Sequence, residues 1–110
     1  MFCDTHCHLD FEDYDADRAE VLARAKTAGL RFLVNPGIDL ASSQAALQLA
    51  QEQPGFIFAA AGIHPNYVSG MAAGDLAHLA ELAEEQQLVA IGEIGLDYYR
   101  EFSDPKQQRQ

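Results

Sequence analysis

The feature that most constrains this chain is a strand-helix alternation that recurs four times. Phe2 to His8 reads as a short strand, apolar at its start and polar at its end. Asp15 or Asp17 can cap the helix that follows, where Val21, Leu22, Ala25 and Ala28 recur at helical spacing and Glu20 stands four residues before Arg24. Gly29 is its stop. "LRFLVNPG" reads as a buried strand ending in a Pro-Gly turn. The spacing predicts a second helix from about Leu40 to Gln53, ended by Pro54 and Gly55. "FIFAAAGIHP" is a third strand, and Gly74 or Asp75 opens a third helix with the stripe Leu76, Leu79, Ala80 and Ala83. "LVAIGEIGLD" is a fourth strand. "SDPKQQRQ" reads as the first turn of a fourth helix, with Ser103 or Asp104 as cap and Pro105 at the first helical position.

Alternation of this kind requires parallel strands joined by right-handed crossovers. The strands are nearly all apolar, as expected when both faces of a sheet are covered. The expectation is therefore an α/β fold of one domain over residues 1–110. Its parallel strands fall near residues 2–7, 32–36, 57–63 and 88–94, with helices on the outer face. The final residues stop inside an apparent helix, so the chain is expected to be the front part of something longer.

Composition narrows the partners. No stretch is long and apolar enough to cross a bilayer, and no basic start leads into an apolar run. A cytoplasmic location is expected, with Cys3 and Cys7 reduced. The formal charge is −10, from 17 acidic and 7 basic side chains. Such a surface repels phosphate backbones, so a phosphate substrate needs a local countercharge, which bound metal ions supply.

The chemistry-bearing residues fall at strand ends. Alternate side chains of a strand share a face, so Asp4, His6 and His8 point one way and Cys3, Thr5 and Cys7 the other. Two histidines at i and i+2 can hold one cation from a strand end. The cysteines are expected to pack under helices as small apolar residues rather than as ligands. Glu93 stands in an apolar strand between Gly92 and Gly95, where a carboxylate is costly unless paired or metal-bound. A buried salt bridge to Arg100 is the alternative. Two histidines and a carboxylate from two strand ends form a catalytic-metal set with open coordination positions. His64, in "GIHP", is a candidate for substrate contact or for supporting the ligands from outside. Arg100 either meets a phosphate or pairs with Asp97 or Glu101. His78 reads as a solvated helix residue.

Together, "DTHCHLD", "GIHP", "AIGEIGLDYYR" and "DPKQQRQ" resemble the TatD family of metal-dependent hydrolases, often described as deoxyribonucleases. The resemblance runs the whole length of the chain. It implies a (β/α)8 barrel with an active site at the C-terminal ends of the strands. His6 and His8 match the first-strand ligands, and Glu93 matches the catalytic carboxylate that bridges two divalent metals (Mg, Mn or Zn). The implied activity is exonuclease or endonuclease action on DNA. Such a barrel needs roughly 250 residues. The expectation is thus the N-terminal half, β1–β4, of a TIM-type barrel, with two further histidines and an aspartate lying beyond Gln110, and with little activity of its own. Flat, this sheet would separate the first and fourth strands by roughly 14 Å, so a shared metal requires barrel curvature. Two other readings stand beside the nuclease: an amidohydrolase-type enzyme cleaving amides or esters, and a structural half-barrel without catalysis. The open edges of a half-barrel are expected to self-associate.

Overall fold

A computed structural model of the chain describes residues 2–110. Among these the strands are β1 (Phe2–Asp4), β2 (Leu30–Pro36), β3 (Ile57–Ala61) and β4 (Leu88–Ile91), and the helices are α1 (Arg18–Thr27), α2 (Leu40–Glu52) and α3 (Asp75–Leu82). All neighbouring strands run parallel in the order β1-β2-β3-β4. The chain therefore forms an α/β half-barrel of four parallel strands, with one helix in each of the three crossovers between them. No helix among the described residues is long and apolar enough to cross a membrane.

The core lies between the sheet and its outer helices. Leu33 of β2 and Ile57 and Ala59 of β3 alternate onto the helical face, where they meet Leu22 of α1 and Ala46, Leu47 and Ala50 of α2. Burying each large aliphatic side chain contributes about 1.5–3 kcal/mol. The start of α2 is fixed by a reciprocal cap: Ser42 N–H donates to Asp39 Oδ1 at 2.8 Å, and Asp39 N–H donates to Ser42 Oγ at 3.0 Å. One turn on, the buried Ser43 hydroxyl accepts from Gly62 N–H at 3.2 Å, tying α2 to the end of β3. This contact explains the glycine of the Pro-Gly turn, since a Cβ on Gly37 would overlap Ser43.

Several expected boundaries shift. β1 ends at Asp4, so His6 and His8 lie beyond the strand rather than at its tip. The Asp4 carboxylate accepts the His6 N–H at 3.0 Å, and the β1–β2 register slips between Phe2 and Asp4. β3 and β4 stop at Ala61 and Ile91, short of the expected 63 and 94, where glycines follow. The fourth helix is only a 3-10 turn, Gln107–Arg109, although Asp104 Oδ1 does receive the Lys106 N–H at 2.7 Å. The α3 stripe is poorly covered. Leu76 is exposed and Leu79 half-buried, because α3 leans on α2 at the margin of the sheet.

Both edges carry exposed apolar side chains: Phe2 on β1, and Val89, Ile91, Ile94 and Leu96 on and after β4. Unpaired strand edges associate. The 110-residue chain alone should therefore elute from a sizing column larger than a monomer. The double change Val89→Lys and Ile91→Lys should shift it towards the monomer. A monodisperse wild-type monomer would contradict this expectation.

Candidate metal centre

The candidate site forms at the C-terminal rim of the sheet. Three short hydrogen-bonded supports converge there from the end of β2. The first is Asn35, fully buried. Its Oδ1 accepts the backbone N–H groups of Leu9 at 2.6 Å and Asp10 at 3.2 Å, and its Nδ2 donates to Asp10 Oδ1 at 2.6 Å. A polar side chain in an apolar strand is costly unless satisfied, and here every bond goes to the segment just after His8. Arg18 of α1 braces the same segment, donating to Leu9 O at 2.6 Å and to Phe11 O at 3.1 Å. The second and third supports are consecutive carbonyls. Gly37 O accepts Glu93 N–H at 2.8 Å, and Ile38 O accepts His64 N–H at 2.8 Å.

These supports bring four side chains together. His6 Nε2 lies 3.2 Å from His8 Nε2, and both face Glu93 Oε2, at 3.3 and 3.7 Å. His64 Nε2 lies 3.3 Å from the other carboxylate oxygen, Oε1. The His8 ring stacks on Phe11, centroids 4.7 Å apart and planes inclined by 19°. Its Nδ1 is buried without a hydrogen-bond partner among the described residues, so stacking rather than a second hydrogen bond sets its angle. Donor atoms about 2.1 Å from a tetrahedral ion stand about 3.4 Å from one another. The His6, His8 and Glu93 separations match that edge length, so the donor set fits a divalent cation.

Cys7 stays out of this set. Its sulfur points to Val34 O at 3.6 Å and packs against the core. Burial pushes its thiol up to about 12, helped by the charges of Asp4 and Asp10. It is therefore a thiol, not a thiolate, at neutral pH, and a poor metal ligand. Cys3 does not pack under a helix as the strand alternation suggests; it is exposed on the edge strand. Arg100 does not pair with Glu93. It stands 3.2 Å from Asp97 Oδ2, and its own N–H also donates to Asp97 Oδ1 at 3.0 Å. The Arg100 backbone N–H first, and its guanidinium also, hold Asp97 below the usual carboxylate range. His78 is exposed on α3.

Sequence patterning overlooked Asn35, Arg18 and Phe11. Asn35 was open to the argument applied to Glu93, a polar side chain inside an apolar run. Nothing local marks Arg18 or Phe11, whose roles arise only when the chain folds back.

The chain is thus a half-barrel of parallel strands with a His-His-Glu cluster on its C-terminal rim. The family model described as TatD related DNase matches residues 3–110. The chain belongs to that family. It is 41% identical over 105 residues to the "3'-5' ssDNA/RNA exonuclease TatD" of Erwinia tasmaniensis, covering 96% of this chain and 40% of that protein. It is 40% identical over 110 residues to the "Uncharacterized metal-dependent hydrolase YabD" of Bacillus subtilis, covering all of this chain and 43% of that protein. Among solved structures, YJJV, the TatD homolog of Escherichia coli K12, superposes with a TM-score of 0.85 at 33% identity, over 98% of this chain and 42% of that one. A TatD family hydrolase from Entamoeba histolytica gives 0.88 at 28% identity, with the same coverage. The chain thus spans about two fifths of the length of the relatives it matches.

Replacing Asn35 tests the first support. Asn35→Ala strands the buried Leu9 N–H and the half-buried Asp10 N–H and should cost about 2 kcal/mol of stability. Asn35→Asp should also destabilise, because it sets a second carboxylate against Asp10 where an amide donated. Urea unfolding followed by circular dichroism measures both. Stability unchanged in both variants would remove Asn35 from its bracing role.

Proposed function

We propose that this chain carries one half of the active site of a metal-dependent hydrolase that cleaves phosphodiester bonds in DNA. The observation that carries the reading is the convergence of His6 Nε2, His8 Nε2 and Glu93 Oε2 within 3.2–3.7 Å, from opposite edges of the sheet. These donor atoms form a cluster within the range of a single cation. In this reading His6, His8 and Glu93 hold a divalent ion, with Glu93 also the catalytic carboxylate. When bound, the ion supplies Lewis-acid stabilisation of the phosphate and a water acidic enough to attack.

The charge balance supports the same reading. A chain of net charge −10 offers a phosphodiester little attraction of its own, so the cation is the countercharge that lets substrate approach. Arg100 keeps an exposed guanidinium beside Asp97 and is a second candidate for phosphate contact. His64 lies within reach of the same rim. The exonuclease names of the relatives favour nucleic acid over an amide or ester substrate. A second ion, if the complete site holds two, needs donors beyond these three. We therefore expect the 110 residues alone to bind metal and to turn over DNA slowly or not at all.

The test pairs metal content with hydrolysis. In the full-length protein that contains this segment, His6→Ala and His8→Ala should lower bound metal and nuclease activity together, each by about tenfold or more. Glu93→Ala should do the same, and Glu93→Gln should keep the shape but weaken metal binding through loss of charge. Cys3→Ser and Cys7→Ser should leave metal content unchanged. Elemental analysis beside cleavage of single-stranded DNA, with a cyclic amide as control substrate, reads all of these. Cysteine variants that strip the metal while histidine variants spare it would overturn the assignment, and so would hydrolysis of the amide in preference to DNA.

A further inference from the structure

The exposed aromatic rings of this chain are unevenly placed. Among the described residues they are Phe2, Phe11, Tyr67, Tyr98, Tyr99 and Phe102. All but Phe2 lie in segments that follow β1, β3 or β4. Because the strands are parallel, those segments share one rim of the sheet, the rim that also carries the His-His-Glu cluster. Apolar surface left open on the rim of a site marks a surface that meets a ligand.

Two of these rings are seated without being covered. Tyr67 stands in the 3-10 turn Pro65–Gly70 and meets the His64 ring edge-on, with centroids 5.9 Å apart and planes at 76°, yet it stays 48% exposed. Tyr99 is 91% exposed, although its backbone is pinned: its N–H donates to Asp97 Oδ1 at 3.0 Å. The two segments are tied to each other. Ser69 N–H donates to Ser103 Oγ at 3.2 Å, and the Ser69 hydroxyl donates to Phe102 O at 3.3 Å. Phe11 differs, because one face of its ring is stacked on His8. The charge around Tyr99 decides what can lie on it. Between residues 97 and 106, Asp97, Glu101 and Asp104 outnumber Arg100 and Lys106, so this segment gives a phosphate backbone little attraction. The face of a nucleobase is uncharged and stacks on an aromatic ring regardless of base identity.

We propose that Tyr67 and Tyr99 are stacking platforms for bases of a single nucleic-acid strand, next to the phosphate that the cluster's cation holds. This rests on the nuclease reading above and deepens it: the cation takes the phosphate, and the two rings take bases beside it. Base faces in a duplex are covered by their neighbours, so the platforms favour a strand whose bases are free. The anchored backbones under both tyrosines lower the entropic cost of ordering the rings when a base arrives.

The experiment follows steady-state cleavage by the full-length protein that contains this segment, with a divalent cation present. The substrates are a short single-stranded oligodeoxynucleotide and the same backbone with every base removed. In the wild type, removing the bases should raise KM by about tenfold or more. Tyr67→Ala and Tyr99→Ala should each raise KM for the natural strand by about tenfold, and Tyr67→Phe and Tyr99→Phe should stay within about threefold of wild type, since the ring remains. On the baseless strand each alanine variant should match the wild type, because ring and base are the two sides of one contact. Elemental analysis should find the same metal content in all variants, and circular dichroism the same fold. Either alanine variant unchanged on the natural strand overturns the proposal. So does a phenylalanine variant as impaired as its alanine counterpart, or an alanine variant equally impaired on both strands. Loss of metal in Tyr67→Ala overturns it too, because the ring would then support the cluster rather than a base. A wild-type protein that cleaves neither strand overturns the nuclease reading, and this proposal with it. Equal cleavage of both strands leaves that reading standing and overturns the platforms alone.

Discussion

The Glu93 N–H donates to the Gly37 carbonyl at 2.8 Å, and that one hydrogen bond joins strands that are not neighbours in the sheet. β3 lies between β2 and β4, and in a flat sheet the outer two would stand roughly 9.6 Å apart. A bond of this length exists only if the sheet curls over the end of β3. Gly62 permits the approach: a Cβ there would come within 2.8 Å of the Gly92 carbonyl carbon. The same curl closes the wider gap between β1 and β4, so that His6 reaches Glu93 at 3.3 Å. The barrel curvature needed for a shared cation is thus already present in four strands.

The short run from Asn35 to Ile38 does most of the fixing. Asn35 holds the chain just after His8, Gly37 holds Glu93, and Ile38 holds His64. None of these three residues presents a metal-ligating side chain. Their contribution is to fix the backbone beneath the side chains that do, by hydrogen bonds of about 3 Å in a partly dry environment, where such bonds hold geometry well. The candidate ligands themselves are less restrained. The His6 side chain is 55% exposed, and the Glu93 side chain 30%. A rigid seat under open ligands suits a site that must admit substrate to a cation.

Much of this was legible in the sequence, for identifiable reasons. Parallel order followed from the strand-helix alternation, and Glu93 stood out because a carboxylate inside "LVAIGEIGLD" demands a partner. The pairing of His6 with His8 also followed from their spacing, though not by the route expected. β1 ends at Asp4, and the two rings converge because Asn35 and Phe11 hold the loop beyond it. Strand alternation predicted that Cys7 would turn inward, which it does, and that Cys3 would too, which fails because the edge strand has no helix over it. Long-range ties such as Arg18 to Leu9 O, or Ser43 to Gly62, leave no local trace, since each depends on which loops the fold brings together. Arg100 was ambiguous in sequence because an acidic residue at i−3 competes with any phosphate, and the ion pair with Asp97 is what forms.

The central claim is that this sheet seats a divalent cation on His6, His8 and Glu93. Zinc K-edge X-ray absorption on the zinc-loaded chain tests it most directly. The claim predicts a first shell of nitrogen and oxygen near about 2.0–2.1 Å with the outer-shell scattering of two imidazole rings. Sulfur scattering at about 2.3 Å, which would bring Cys3 or Cys7 to the metal, or a shell without imidazole, would contradict it.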